Sequence, residues 1–394
     1  MKNEMLPKKI FCLIFSLYLI VLGGISIWNS RSAIVSIVNT INISRMAEMT
    51  SSFENSINKN FAFHKYFINI DGMEKRILNK YVIEDVSETV VKDLQGQLNF
   101  ISEEAKELEK KVSAIQNLDY YCSDKNIPFL YIQVPFKADA NKEYLPIGIK
   151  DYSRENADNF LNELKLLKMD SIDLRKELNI KFFNTDHHWT IESAFEASQL
   201  IAQLLIEKYG FHDLDPEEII ADSNNYTIDT IKNCYLGSQG KRTGTLYSGY
   251  DDFTYITPNF LTSYSYEHVV GDESVLYKEG SFEEALISDA LETEYTPEYY
   301  SSYLNNSYCE MIIKNHNAYN EKKIFIIADS FGRPFSAFLS LYFSESVVVD
   351  TQKGRFKKDI YQYIDMYKPD IVITLFNSGM YNDESVFNFY NKSN

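Results

Sequence analysis

Cysteine is scarce. The four present, Cys12, Cys122, Cys234 and Cys309, lie far apart and form no C-x-x-C pair. That spacing argues against a disulfide framework and against a structural zinc site. Histidine is also sparse, with six residues, and none forms an H-E-x-x-H or another spaced ligand pair. Positive charge is in deficit: 39 Lys+Arg against 56 Asp+Glu give a net charge of −17. Such a body repels nucleic acid and anionic lipid. There is no internal repeat and no low-complexity tract. After residue 28 no apolar run is long enough to span a bilayer.

The one long apolar run stands near the N-terminus. Lys8 and Lys9 precede an uncharged stretch from Ile10 to Trp28. As a helix it is about 28 Å long, close to the hydrocarbon thickness. Positive charge ahead of it places the N-terminus inside and the body outside, with Trp28 at the outer interface. The expectation is an uncleaved single-pass anchor in the cell membrane; a cleaved signal peptide is the rival.

Hydrophobic residues make up 45% of the chain, the level of a globular protein. Residues 1–30 read as cytoplasmic tip and anchor. Residues 31–110 read as a membrane-proximal helical stalk and N-terminal segment, and 111–394 as the main domain. Residues 95–125 have helical spacing at Ala105, Leu108, Val112, Ile115 and Leu118. A buried-strand run follows at 128–137, then a helix over 156–169. A long helix after Thr190 closes at Gly210, with Thr190 as its N-cap. Residues 225–305, rich in Tyr, Ser, Thr and Gly, read as an insertion of strands and loops, a lid or substrate platform. Strand-and-helix alternation then resumes with KKIFIIADSFG, SVVVDTQ, a helix over 357–367 and PDIVITLFNSG. That alternation predicts an α/β fold with a parallel central sheet.

Ser330 follows the apolar run KKIFIIAD and precedes a helix. The carboxyl end of a parallel strand is where α/β active sites collect, and a helix N-terminus offers N–H groups to a developing oxyanion. The competing reading is that Ser330 only caps the helix. A serine nucleophile needs a base, and the base needs an orienting carboxylate. Asp186 and His188, two residues apart in NTDHHWT, can supply both. A DHH-type phosphoesterase is a rival for this string, but its further Asp and His motifs are missing. Asn377, Arg355, Gln133 and Lys137 stand at or just past strand ends. They are candidates for the oxyanion or substrate: Asn377 as an amide donor, Arg355 on a carboxylate or positioning Asp350.

Taken together, YIQVPFK, SIDLR, NTDHHWT, LGSQGKRTG with YDDF, and IIADSFGRPF resemble the bacterial DHHW family, named for the string at Asp186 to Trp189. The pattern is similar to the SGNH-hydrolase-like domain of the periplasmic alginate O-acetyltransferases. There the Asp-x-His pair precedes the nucleophile, the reverse of ordinary SGNH esterases. The resemblance covers roughly residues 50–390. It implies a three-layer α/β/α domain with Asp186, His188 and Ser330 as a triad and His187 at a variable position. By approximate spacing, Arg355 matches an arginine that follows the nucleophile. The implied activity is O-acetylation of a cell-envelope polysaccharide without metal or cofactor. The implied partner is a polytopic membrane-bound O-acyltransferase that supplies the acyl group. A carbohydrate acetyl esterase and a non-catalytic glycan-binding scaffold are the alternatives.

Overall fold

The structure, a computed structural model, describes residues 2–39, 61–84, 88–293 and 295–390. The chain divides into two compact units, residues 1–74 and 75–394. The second unit therefore takes in strands that the sequence reading placed in the membrane-proximal segment. In the first unit, helix α1 (Lys2–Asn39) holds 25 residues, Lys8–Ser32, long and apolar enough to cross a membrane. Residues 40–60 of the expected stalk and N-terminal segment lie outside the described residues. Helix α2 (His64–Ile77) carries Lys75 and Arg76 in its last turn, where cations complement the helix dipole.

The second unit opens with the last turn of α2 and continues into a small antiparallel sheet of β1 (Val82–Ile83), β2 (Val90–Lys92) and β3 (Leu98–Phe100). The helix expected from residue 95 therefore starts later, as α3 (Leu108–Asp124). Ile83, Val90, Leu98 and Phe100 pack with Phe136, Ala138 and Tyr247 in a core of their own. That apolar match, not helical periodicity, decides the conformation of residues 98–100.

The main sheet begins with β4 (Phe129–Val134), helix α4 (Ser153–Leu166) and the short edge strand β5 (Ser171–Asp173). Helix α5 (Ile191–Tyr209) follows, capped by Thr190 and stopped at Gly210, both as expected. Strands β6 (Tyr226–Tyr235) and β7 (Asp251–Pro258) pair only with each other, and helices α6 (Ser238–Thr243) and α7 (Thr245–Ser248) lie between them. Next come β8 (Tyr264–Val270), β9 (Glu273–Gly280) and β10 (Glu310–Asn315), then β11 (Lys323–Ala328), helix α8 (Gly332–Leu339) and β12 (Glu345–Asp350). Helix α9 (Ile360–Tyr367) and β13 (Ile371–Asn377) complete the sheet.

The strand order is β5-β4-β13-β11-β12-β10-β8-β9. The first five strands run parallel, as predicted. The last three are antiparallel additions. The sheet is therefore mixed, and two of the four strands of the expected 225–305 insertion, β8 and β9, are part of it. The physical reason is the connection: Gly271 and Asp272 turn β8 directly into β9, which only an antiparallel pair permits.

Every central strand is apolar on both faces. In β11, Ile324, Ile326 and Ala328 enter one core, while Phe325 and Ile327 enter the other. Strands β4 and β13 split in the same way. Period-two alternation between two apolar layers is what a three-layer domain demands. Helices α5 and α8 cover one face; α3, α4 and α9 cover the other.

Candidate active site

Ala328, Asp350 and Leu375 lie side by side where β11, β12 and β13 end. Ser330 stands just past this edge, half-buried. It does not cap α8: the cap position is Phe331, with no side-chain cap bond. Its backbone N–H has no hydrogen-bond acceptor among the described residues.

Asp186 and His188 come from a loop pinched at its base by Phe183 N–H to His188 O (3.2 Å) and Thr190 N–H to Lys181 O (2.9 Å). The Asp251 carboxylate accepts from the Asn184 and Thr185 N–H groups (2.8 and 2.7 Å) and from the Thr185 hydroxyl (2.6 Å). The Lys137 ammonium donates to the carbonyls of Phe183, Asn184 and Asp186 at 2.6, 2.9 and 3.0 Å. Burial pushes its pKa down to about 7, although Asp251, Asp186 and Asp93 pull the other way. Gln239, in the amide orientation that satisfies both its ends, ties Asp186 O to Leu98 O and Phe100 N–H of β3. A buried irregular loop needs such partners for its backbone groups.

From that loop, His188 Nε2 meets Ser330 Oγ at 2.8 Å and His188 Nδ1 meets Asp186 Oδ1 at 2.5 Å. Asp186 Oδ1 also accepts from His188 N–H (3.0 Å), and Oδ2 accepts from Ser238 N–H (2.6 Å). Burial alone would raise the Asp186 pKa. The neighbouring His188 and His187 rings and these hydrogen bonds instead hold it well below the usual carboxylate range. An ionised Asp186 accepts the hydrogen bond from Nδ1–H, which keeps that proton on Nδ1 and leaves the Nε2 lone pair facing the serine hydroxyl. The His188 ring stacks on Tyr300 (centroids 4.0 Å, 17°) and touches Phe331 (5.0 Å). The Tyr300 hydroxyl accepts from Trp189 Nε1 (3.1 Å) and donates toward Ser330 O (3.3 Å).

His187 lies 3.9 Å from the His188 ring, with Nδ1 against Ser238 Oγ (2.8 Å). Although its side chain is 23% exposed, desolvation and the neighbouring His188 push its pKa down to about 3, so the ring is neutral. Asp186, His187 and His188 hold ligand-type atoms within 4.8 Å of one another, a spacing a metal could use. Those atoms are already engaged, Asp186 with His188 and His187 with Ser238, so an ion there would displace the Nδ1 proton that aims His188.

The remaining sequence candidates divide. Asn377 Nδ2 donates to Asp329 Oδ2 (2.8 Å) and its Oδ1 accepts from Gly379 N–H (2.9 Å), so one amide hydrogen is left over. Arg355 pairs with Asp350 (2.7 Å), the second of its two expected roles. Gln133 is buried with Tyr131 and Tyr381 and donates to the Val134 carbonyl. Lys137 is 1% exposed. The polar ends of both are spent inside the protein, so neither faces a substrate.

Four contributors went unassigned from sequence. Asp329 accepts from Phe331 N–H (2.9 Å) and Asn377 N–H (3.1 Å); burial pushes its pKa up to about 7, against the pull of those donors. Gly237 passes so close to Asp186 that a β-carbon there would lie 2.5 Å from Oδ2 and 2.6 Å from Cα. LGSQG and YDDF, which hold Gly237 and Asp251, were visible as motifs without an assigned role. Tyr300 carries no local signal.

A serine past a central parallel strand, met by an Asp-x-His loop from earlier in the chain, is the arrangement of an SGNH-hydrolase-like domain. Residues 96–225 match the family described as SGNH hydrolase-like domain, acetyltransferase AlgX. No curated protein matches. Among solved structures, the chain is similar to Bacillus cereus PatB1 with a sulfonyl adduct: 23% identity, 78% of this chain and 99% of that chain, TM-score 0.62. It is also similar to a DHHW family protein from Eubacterium siraeum: 17% identity, 78% of this chain and 97% of that one, TM-score 0.57. The shared feature is the fold.

Proposed function

We propose that the protein is a serine acyltransferase that moves acetyl groups onto an extracytoplasmic polysaccharide. The observation that carries this is the unbroken relay Asp186–His188–Ser330, with contacts of 2.5 and 2.8 Å. Ser330 Oγ attacks the donor's carbonyl carbon while its proton passes to His188 Nε2. Asp186 stays ionised and stabilises the imidazolium. The Ser330 N–H and the spare Asn377 amide hydrogen stabilise the oxyanion. The intermediate collapses to an acyl-serine, and the leaving group takes the proton from His188. A sugar hydroxyl, deprotonated by His188, then attacks the ester and Ser330 recovers its proton.

Three further observations support this reading. The matching family is described as an acetyltransferase. The Asp-His pair precedes the serine, as the resemblance requires. The one helix among the described residues that is long and apolar enough to cross a membrane suits an anchor, and a polytopic O-acyltransferase would deliver the acetyl group across that membrane.

The test uses the full chain in detergent with p-nitrophenyl acetate, with and without envelope oligosaccharides. Ser330→Ala is expected to lower turnover about 10⁴-fold, and acetylated sugar is expected from the wild type. Acetate alone, whatever the acceptor, would make the protein an esterase. Equal rates in wild type and Ser330→Ala would remove the enzyme reading.

A further inference from the structure

We propose that a basic recess beside the small sheet binds an anionic substituent, carboxylate or phosphate, of the polysaccharide chain whose hydroxyl reacts at Ser330. This rests on the function proposed above.

The recess holds about 350 Å³, within the range of small-ligand sites. Its walls include Arg76, Lys80, Tyr81, Lys92 and Tyr247. Three cations thus meet in a chain of net charge −17, and none makes an ion pair with a carboxylate among the described residues. The acid in the lining, Asp93, is turned inward. It is 1% exposed and accepts from Gln95 N–H, Gln97 N–H and Asn99 Nδ2 at 2.9, 2.9 and 3.1 Å. Arg76 and Lys92 instead reach neutral carbonyls, of Leu246 (3.2 Å) and Tyr247 (3.4 Å). Burial and the Arg76 charge lower the Lys92 pKa, and Asp93 offsets this only in part. A bound anion relieves that like-charge crowding and gains charge-assisted hydrogen bonds.

The walls are fixed before any ligand arrives. The Tyr247 hydroxyl donates to Lys80 O (2.6 Å), and Lys80 N–H to Lys75 O (2.9 Å), which hold the turn after α2. Leu94 N–H to Tyr144 O (2.9 Å) holds the β2–β3 hairpin. Tyr81 is 43% exposed and offers a ring face to a sugar.

Strand β3 links this recess to the reacting serine. At its far end the Phe100 ring lies 5.7 Å from His187, and Leu98 N–H donates to Asn184 O (3.1 Å) in the Asp-His loop. Strand β3 spans about 7 Å from Phe100 to Leu98, and Gly96 in the recess wall lies two residues further on, within the reach of a short oligosaccharide. One chain can thus set a hydroxyl at Ser330 and an acidic group among the cations. Three surface cations would also suit an anionic bilayer, but the recessed shape and tyrosine walls fit a discrete group better.

Calorimetry on the full chain in detergent decides it, with oligouronates, glycerol-phosphate oligomers and neutral oligosaccharides of equal length as probes. At least one acidic probe is expected to bind about tenfold or more tightly than the neutral one, with affinity falling as salt rises. Which acidic probe binds identifies the substituent. Arg76→Gln with Lys80→Gln is expected to lose that preference, and Lys314→Gln, a distant exposed lysine, to keep it. Equal affinity for acidic and neutral probes, no effect of the double variant, or binding to anionic vesicles but to no oligosaccharide would each overturn the proposal. Ester turnover by Ser330→Ala is read separately. If it equals wild type, the acyltransferase reading fails while the binding data still judge the recess.

Discussion

Gly237→Ala tests how tightly the site is built. The added methyl would sit 2.6 Å from Asp186 Cα and 2.5 Å from its Oδ2. Carbon atoms pack at about 3.5–4.0 Å and the Asp186 β-carbon is nearer still, so the two segments must separate by at least about 1 Å. That shift breaks the 2.6 Å bond from Ser238 N–H to Asp186 and swings the carboxylate that aims His188. A displacement of about 1 Å in a catalytic group costs on the order of 10²-fold in rate. The forced overpacking costs about 1–3 kcal/mol of stability. The assay is p-nitrophenyl acetate turnover, with thermal unfolding followed by circular dichroism on the same preparation. A rate within twofold of wild type, together with an unchanged Tm, would show that Asp186 does not need its present position.

Other outcomes follow from the same geometry. Asp186→Asn is expected to keep the fold and lower turnover about 10³–10⁴-fold, because an amide no longer fixes the Nδ1–H tautomer; steady-state kinetics checks it. Tyr300→Phe keeps the ring against His188 but leaves Trp189 Nε1–H unpaired, and should lower stability by about 1–3 kcal/mol in a denaturant titration. Lys137 binds its proton more weakly folded than unfolded, so from about pH 7 up to the ordinary lysine pKa the unfolded chain holds more protons and stability rises with pH. Lys137→Met should flatten that rise, as read by denaturant midpoints across the window.

The parts of this site legible in the sequence are those written locally. A six-residue apolar strand ending in Asp329-Ser330, and Asp186 two residues from His188, carry their meaning within a few positions. The parallel strands were legible because burial on both faces makes them continuously apolar. Strand β10, EMIIKN, was not, since it reads as a mixed segment and owes its place to β8 and β12 on either side. The unassigned residues depend on long-range contacts. Tyr300 lies 30 residues before Ser330 in a loop with no periodicity. Asp251 reaches back 66 residues to Thr185. Lys137 stood at a strand end, where solvent or substrate is the usual neighbour. Instead it turns inward onto three carbonyls, and only the folded loop supplies them.

The most direct measurement is intact-protein and peptide mass spectrometry after brief exposure of the full chain to p-nitrophenyl acetate and acid quench. One acetyl group is expected on the peptide containing Ser330, absent in Ser330→Ala and strongly reduced in His188→Ala. Acetyl found on another residue, with Ser330 unmodified while turnover proceeds, would contradict it.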